Sequence, residues 1–302
     1  MNIFRKYYVK FFFKQWGIGV CTGNLEDIIR QKKNVFDFNW IEIKDKFISY
    51  ADPFILKTDD GNFHLLFETF TSQMQDGKIA LQVLDSELKL ISEKLLLSES
   101  YHVSYPFYFK ENGKTYVFPE AGESNSLFCY EYDVLNHLLL NKIKILDLPV
   151  IDPTILKYEE KYWLFGTLIG KYRHSQLHIF YADHLTGPYK SHSQNPVKSS
   201  LQGTRPAGAF INVDNEIYRP SQNCSNYYGE SLIINRILSL SETEFKEEIY
   251  MKLFPQKKTK FKYGMHTING SDGVIVVDGL AGYFQPVSQL IKFFKEKIVK
   301  FL

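Results

Sequence analysis

The sequence predicts an all-β chain, a five-bladed β-propeller with basic amphipathic segments at its N- and C-terminal ends. Two observations carry that expectation: one hairpin pattern recurs four times at a blade-like period, and helical periodicity is nearly absent from the middle of the chain. The recurring unit is a polar or aromatic residue, a proline, a short apolar strand, a polar turn and a second strand. It opens at Asp52-Pro53, Tyr105-Pro106, Asp152-Pro153 and Arg205-Pro206, so the prolines stand 53, 47 and 53 residues apart. The returning strands are expected near 65–68, 116–120, 162–166 and 217–220, after turns such as Asp59-Asp60-Gly61 and Glu111-Asn112-Gly113.

Further strand-like stretches at 78–84 with 95–97, 126–130 with 143–145, and 177–181 fill out four strands per unit. A fifth unit opens near His266 and runs through 273–278, but it is short of strands. Residues 16–21 are expected to supply its outer strand and close the ring, leaving no unpaired edge at the seam. The resulting division is a basic aromatic segment over 1–15, the propeller over 16–284 and an amphipathic helix over 285–302.

Length alone admits two average domains or one large all-β domain, and the repeat decides for one. Hydrophobic residues at 44% against 23% charged residues mark a folded chain. The 16% aromatic share suits strands packed face to face and also supplies rings on which sugars stack. A formal charge of +2 argues against a nucleic-acid partner. Three cysteines, Cys21, Cys129 and Cys224, with no CxxC spacing argue against a disulfide framework or a zinc site. With no secretory signal pattern and no apolar run of about 18 residues, a cytoplasmic location is expected.

In a propeller the innermost strand of each blade lines the channel, and the residue before its first apolar position sits at the mouth. Asp52, Tyr105, Asp152 and Arg205 are therefore expected around one opening, with two carboxylates facing each other and a guanidinium nearby. Paired carboxylates are what glycoside chemistry needs, one group assisting the leaving oxygen and the other activating a nucleophile or stabilising the oxocarbenium-like state. The following prolines are expected to restrict Asp52 and Asp152 and hold them still. Glu120 is the first choice for a third carboxylate, ahead of Glu230 and of Glu68, its counterpart in the first unit. Arg205 and Arg219 present forks suited to a phosphate, the competing reading being structural ion pairs with glutamates. His102 and His266 precede the second and fifth inner strands and also face the mouth. Two histidines and two aspartates without close spacing leave a metal unassigned, and no cofactor is expected.

Ala51-Asp52-Pro53, 102–106 with Phe118-Pro119-Glu120, Ile151-Asp152-Pro153, 205–208, 218–225 with Tyr228-Gly229, and 266–269 together resemble the N-terminal domain of glucosamine inositolphosphorylceramide transferases and their stand-alone bacterial relatives. The resemblance spans about Trp16 to Gly282, and its motifs bring Gln222 and Tyr228 in as substrate-binding candidates. More distantly the chain is similar to the five-bladed propellers of glycoside hydrolase families 43 and 32. That likeness implies an aspartate in the first blade as base or nucleophile, a second in the third blade, and a glutamate as acid. By position Asp52 and Asp152 match the two aspartates, whereas the acid is not fixed, because Glu230 is only loosely placed.

The ends bear on the reaction. Arg5, Lys6, Lys10 and Lys14 alternate with Phe4, Tyr7, Tyr8 and Phe11 to Phe13, and Leu290, Ile291, Phe294, Ile298 and Phe301 form one helical stripe among lysines. Such ends suit an anionic membrane surface, the inner leaflet for a cytoplasmic protein, the competing reading being a helix packed on the propeller's flank. The expected function is glycosyltransferase-type sugar transfer in the making of a surface polysaccharide or glycolipid. Its partners would be a sugar donor with a phosphate-containing leaving group and a glycan or glycolipid acceptor. An inverting glycosidase of furanoside-like glycans and a non-catalytic glycan-binding module are the alternatives.

Overall fold

The structure is a computed structural model and describes residues 12–33, 37–71 and 76–284. The chain forms five antiparallel sheets arranged as the blades of a propeller. Blade I runs outward through Ile48–Lys57, Phe63–Thr71, Lys78–Leu84 and Leu90–Leu97. Blade II follows with Ser104–Glu111, Lys114–Glu120, Leu127–Asp133 and Leu138–Leu146. Blade III comprises Val150–Tyr158, Lys161–Leu168 and Gln176–Ala182, and its outer edge is two short pieces, Lys190–Ser191 and Lys198–Ser199. Blade IV is built on Gln202–Pro206 and Ile211–Val213, then Glu216–Asn223, Ser231–Leu240 and Phe245–Leu253.

Blade V takes strands from both ends of the described chain. Ile268–Ser271 and Val274–Phe284 are continued outward by Phe12–Thr22 and Asn39–Trp40. Phe12 lies opposite Phe284, and the pairing holds register to Thr22 opposite Val274. This ladder closes the ring by hydrogen bonds. Residues 12–15, expected within a basic tail, belong to that strand, while the rest of the tail and the expected helix over 285–302 lie outside the described residues.

The apolar residues pack mainly at the five blade interfaces, with smaller clusters around Trp16, Ala51 and Leu280 and around Ile79, Val103 and Ala121. Ile18, Val20 and Val276 pack on Ile55, Leu65 and Phe67 between blades V and I. Leu56, Leu66 and Leu81 meet Val117 and Tyr132 between I and II, and Phe107, Phe118 and Leu127 meet Ile155, Leu164 and Phe180 between II and III. Trp163, Phe165 and Ile179 meet Leu240 and Phe245, and Tyr218, Leu232 and Ile234 meet Ile268, Ile275 and Val277, at the last two interfaces. Inner strands are therefore apolar on both faces, whereas an outer strand such as Leu90–Leu97 is mostly exposed. A short helix, Leu25–Gln31, sets Leu25 and Ile29 into the interface of blades IV and V.

The strand-opening residues differ from expectation in backbone conformation. Asp52, Tyr105 and Asp152 have φ of 51°, 44° and 49°, in the left-handed region rather than the extended one expected before proline. In each blade the ladder slips between residues 51 and 54, 104 and 107, or 151 and 154, with one extra residue on the inner strand. This is a β-bulge, which re-aims a side chain off the ladder. Proline suits the next position because it has no N–H to leave unpaired there. Blade IV departs further: its inner strand breaks at Ala207-Gly208, where Gly208 has φ 139° and a Cβ would lie 2.0 Å from the Ile268 carbonyl oxygen.

Tyr105 is fully buried, and its hydroxyl accepts from the Gly208 N–H at 2.7 Å while bonding the Thr154 hydroxyl at 2.9 Å. One phenol thus ties blade II to blades III and IV. Tyr105→Phe should leave the buried Gly208 N–H without its acceptor and cost about 1–3 kcal/mol. Urea unfolding measures it, and an unchanged midpoint would show that this tie carries no stability.

Candidate functional site

The bulges of blades I and III point Asp52 and Asp152 into one end of the channel, where both are almost wholly buried. Asp152 is gripped from blade IV. Arg205 pairs with both of its carboxylate oxygens, Nη2 to Oδ1 at 3.1 Å, and Gln222 Nε2 donates to Oδ2 at 3.1 Å. Glu120, at the end of the second strand of blade II, accepts from the Asp152 backbone N–H at 3.1 Å and stands 3.9 Å from Arg205 Nη2. Burial raises the Glu120 pKa well above the usual carboxylate range, the neighbouring Asp152 pushes the same way, and Arg205 opposes both.

Asp52 is held from blade V. Its Oδ1 accepts from the Thr267 hydroxyl at 2.7 Å and faces His266 Nε2 at 3.7 Å, and its backbone N–H donates to Asp278 Oδ2 at 3.2 Å. Asp278, fully buried, also accepts from the backbone N–H groups of His266 and Thr267 at 2.8 and 3.0 Å, and pairs with His266 Nδ1. Burial, then the charges of Asp152 and Asp278, push the Asp52 pKa up to about 6 against the opposing pull of His266 and Thr267. Burial alone would lower the His266 pKa, but Asp278 and Asp52 outweigh it and the pKa is raised. His266 stacks on Trp16 with centroids 4.0 Å apart and planes 18° from parallel.

Glu68, the blade I counterpart of Glu120, lies 3.3 Å from His102 Nε2, and the His102 Nδ1 accepts from the Gly77 N–H at 3.0 Å. That acceptor role puts the ring proton on Nε2, toward the glutamate. Burial raises the Glu68 pKa well above normal, with Asp52 and Glu120 adding to it. The third-blade counterpart is Thr167, whose buried hydroxyl has no hydrogen-bond partner among the described residues, a polar atom left for a water or a guest hydroxyl. Tyr228 covers this end. Its ring lies 5.0 Å from the Arg205 guanidinium carbon and 5.2 Å from the His266 ring, and His174 Nδ1 reaches Arg205 Nη1 at 3.5 Å.

Asp52, Asp152, Glu120, Arg205, Gln222, His102, His266 and Tyr228 are thus brought together. Three expected residues are not. Arg219 is buried inside blade IV, where its donors go to Glu247 and to the carbonyls of Gly203 and Thr204, so it offers no fork to a phosphate. Glu230 clasps its own loop, accepting from the Asn226 N–H and side-chain amide at 3.2 and 2.7 Å. Tyr105 stands at the equivalent position but turns its hydroxyl to Thr154 and Gly208 and exposes no surface. Sequence reasoning missed Asp278, Thr267, Trp16 and His174. Asp278 carried a signal, an aspartate closing the otherwise apolar run 274–277.

Asp52, His266 and Asp278 bring ligand-type atoms within 4.8 Å of one another, a metal-like spacing. Asp278 already accepts three backbone N–H groups and pairs with the His266 ring, so its oxygens are committed within the protein. An ion there would have to displace that pairing, and the donor set does not fit one as it stands. A cavity of about 340 Å³ lies not at the carboxylates but at the opposite end of the channel. Tyr228 fills the space above Arg205 instead.

A five-bladed propeller with a ring of acidic residues at one mouth defines the class of this chain, and two solved structures are similar to it in fold. An exo-β-1,3-galactanase from Clostridium thermocellum matches with a TM-score of 0.54 at 12% identity, over 70% of this chain and 54% of that one. A family 117 glycoside hydrolase from Zobellia galactanivorans matches with a TM-score of 0.53 at 14% identity, over 92% of each chain. Residues 41–272 match the family described as glucosamine inositolphosphorylceramide transferase 1, N-terminal, and the chain belongs to that family. The Arabidopsis thaliana glucosamine inositolphosphorylceramide transferase 1 is 33% identical over 219 residues, 70% of this chain and 28% of the relative. The chain therefore spans little more than a quarter of the length of that relative.

Two outcomes follow from this geometry. Arg219→Leu should destabilise the protein by about 3 kcal/mol by stripping a buried carboxylate of its main partner; an unfolding midpoint equal to wild type would put Arg219 outside the structural network. A carboxyl whose pKa is raised on folding holds its proton more tightly in the native state, so its burial cost is full above about pH 6 and relieved as pH falls toward about 4. Wild type should therefore gain about 2–3 kcal/mol on Asp52→Asn between pH 7 and pH 4. A difference flat with pH would mean that Asp52 is not raised.

Proposed function

We propose that the chain performs acid–base chemistry on a sugar at the carboxylate mouth, as a glycosyl-transfer enzyme in glycolipid or surface-glycan assembly. The observation that carries this reading is the pair Asp52 and Asp152, opening equivalent strands of blades I and III, with Glu120 against Asp152. Glu120, whose pKa burial and Asp152 raise, is the proton donor to the leaving oxygen. Asp52, ionised above about pH 6, takes the proton of the acceptor hydroxyl. Asp152, fixed by Arg205 and Gln222, stabilises positive charge developing on the sugar ring. The exposed Tyr228 offers a ring for the sugar to lie against.

The relatives' name concerns glucosamine and inositolphosphorylceramide, which supports a hexose-type donor and a glycolipid acceptor for this chain. A phosphate-containing leaving group would meet Arg205 and compete with Asp152 for it, since Arg219 is committed elsewhere. That commitment of both guanidinium groups favours a second reading, hydrolysis of a glycosidic bond by the same three carboxylates. The cytoplasmic, inner-leaflet setting belongs to the proposal too and rests on the basic aromatic ends alone. Among the described residues no helix is long and apolar enough to cross a membrane.

The test is consumption of nucleotide sugars, polyprenyl-phosphate sugars and neutral oligosaccharides, with and without a glycolipid acceptor. Transfer predicts acceptor-dependent donor loss that falls at least about 100-fold in Asp52→Asn and in Glu120→Gln. Acceptor-independent release of free sugar, lost in the same variants, establishes hydrolysis. Saturable binding with no turnover of any substrate would overturn both in favour of a glycan-binding module.

A further inference from the structure

The loops around the carboxylate mouth differ from one side to the other. Toward blades III, IV and V they hold large apolar side chains in solvent: Ile169, Tyr172, Leu201, Tyr228 and Tyr263 are each between 38% and 51% exposed. The loops that carry them are bonded to one another. The Ser175 carbonyl accepts from the Ser200 N–H, and the Leu201 carbonyl accepts from the Cys224 N–H, both at 2.8 Å. The Tyr227 hydroxyl donates to the Tyr263 carbonyl at 2.9 Å, which joins the loop between blades IV and V to the same face. His174 stands 5.4 Å ring to ring from Tyr228, so this face includes the mouth itself.

The charge of these loops is lopsided. Residues 254–263 expose Lys257, Lys258, Lys260 and Lys262 and contain no acid, and residues 169–175 add the exposed Lys171 and Arg173, again with none. Glu230 is the acid of residues 224–230, and Glu123 of blade II stands next to Gly122, against which Ile169 packs. Both acids keep their charge, and the six cations outnumber them. Toward blades I and II acids return and are matched, as in Glu99 with Lys142 and Asp147 with Lys144. A soluble polyanion would use the cations and leave Ile169 and Leu201 in water, whereas a neutral glycan would use the rings and leave the cations idle. An anionic lipid surface uses both, taking tyrosine and apolar side chains at the headgroup boundary and lysines among its phosphates. We propose that this face docks the chain on an anionic bilayer with the carboxylate mouth toward the headgroups. The proposal rests on the glycolipid reading above for the reason that a lipid surface should meet this mouth.

Co-sedimentation of the full chain with vesicles of phosphatidylserine and phosphatidylcholine in equal parts tests it, with pure phosphatidylcholine as the other arm. The mixed vesicles should bind the chain more tightly. Affinity should fall at least about tenfold in the Lys257→Glu, Lys258→Glu, Lys262→Glu triple variant. It should fall likewise in the Tyr172→Ser, Leu201→Ser double variant, with the unfolding midpoint of each variant equal to wild type. Asp52→Asn should bind vesicles as wild type does, so docking and sugar transfer can fail separately. Binding that survives the lysine variant would put the contact on the ends of the chain, and binding that survives the Tyr172, Leu201 variant would mark a site for soluble polyanions. Either result, or equal binding to phosphatidylcholine alone, overturns the proposal.

Discussion

Asp278 is the carboxylate on which ring and site both depend. It lies fully buried in the strand that closes the propeller, and it accepts N–H groups from Asp52, His266 and Thr267 while facing the His266 ring. A buried carboxylate is tolerable only when its charge and lone pairs are met, and here four donors from two blades meet them. The seam between blades V and I is thereby tied at the point where Asp52 leaves its strand. A loss of this carboxylate would strand three backbone donors, so the geometry of Asp52 cannot be separated from the closure of the fold.

The remaining charges of the mouth are unequal in number. Asp52, Glu68, Glu120, Asp152 and Asp278 converge, against one guanidinium from Arg205 and the imidazoles of His102 and His266. Burial makes unpaired negative charge expensive, so the surplus pushes carboxyl pKa values upward. Glu68 and Glu120 take the upward shifts, Glu120 with the Arg205 guanidinium no nearer than 3.9 Å, while Asp152 has its bidentate grip. The bulge before each proline spends roughly 1–2 kcal/mol of left-handed strain to bring these side chains inward. Aspartate tolerates that conformation better than a bulky residue, and the one tyrosine in the series is the one with two buried hydrogen bonds to hold it.

The fold was legible because a blade repeats within the sequence: the proline spacing marks the inner strands, and the apolar runs beside them mark walls buried on both faces. The convergence of Asp52, Asp152 and Arg205 follows from the same register. What local pattern could not show is contact across the ring. Asp52 and Asp278 are 226 residues apart, and nothing near either predicts the other. Arg219 was misplaced for a related reason, since its partner Glu247 lies on the outer strand of its own blade and the guanidinium is spent within that blade rather than on the channel. The left-handed conformation at Asp52 and Asp152 ran against the preference of residues before proline, because the bulge is set by the ladder on either side.

At the carboxylate mouth the opening residues are polar and strained, and they bond to one another. This end of the channel is closed by Tyr228, which rests on Arg205 and on the edge of His266, and its loop is clasped by the bonds of Glu230 to Asn226. The Tyr228 ring lies over the Arg205 guanidinium that grips Asp152, so a shift of this ring would uncover that guanidinium. The cover that hides the carboxylates from solvent therefore also keeps their surroundings dry, which is the condition under which Asp52 and Glu120 hold their raised pKa values.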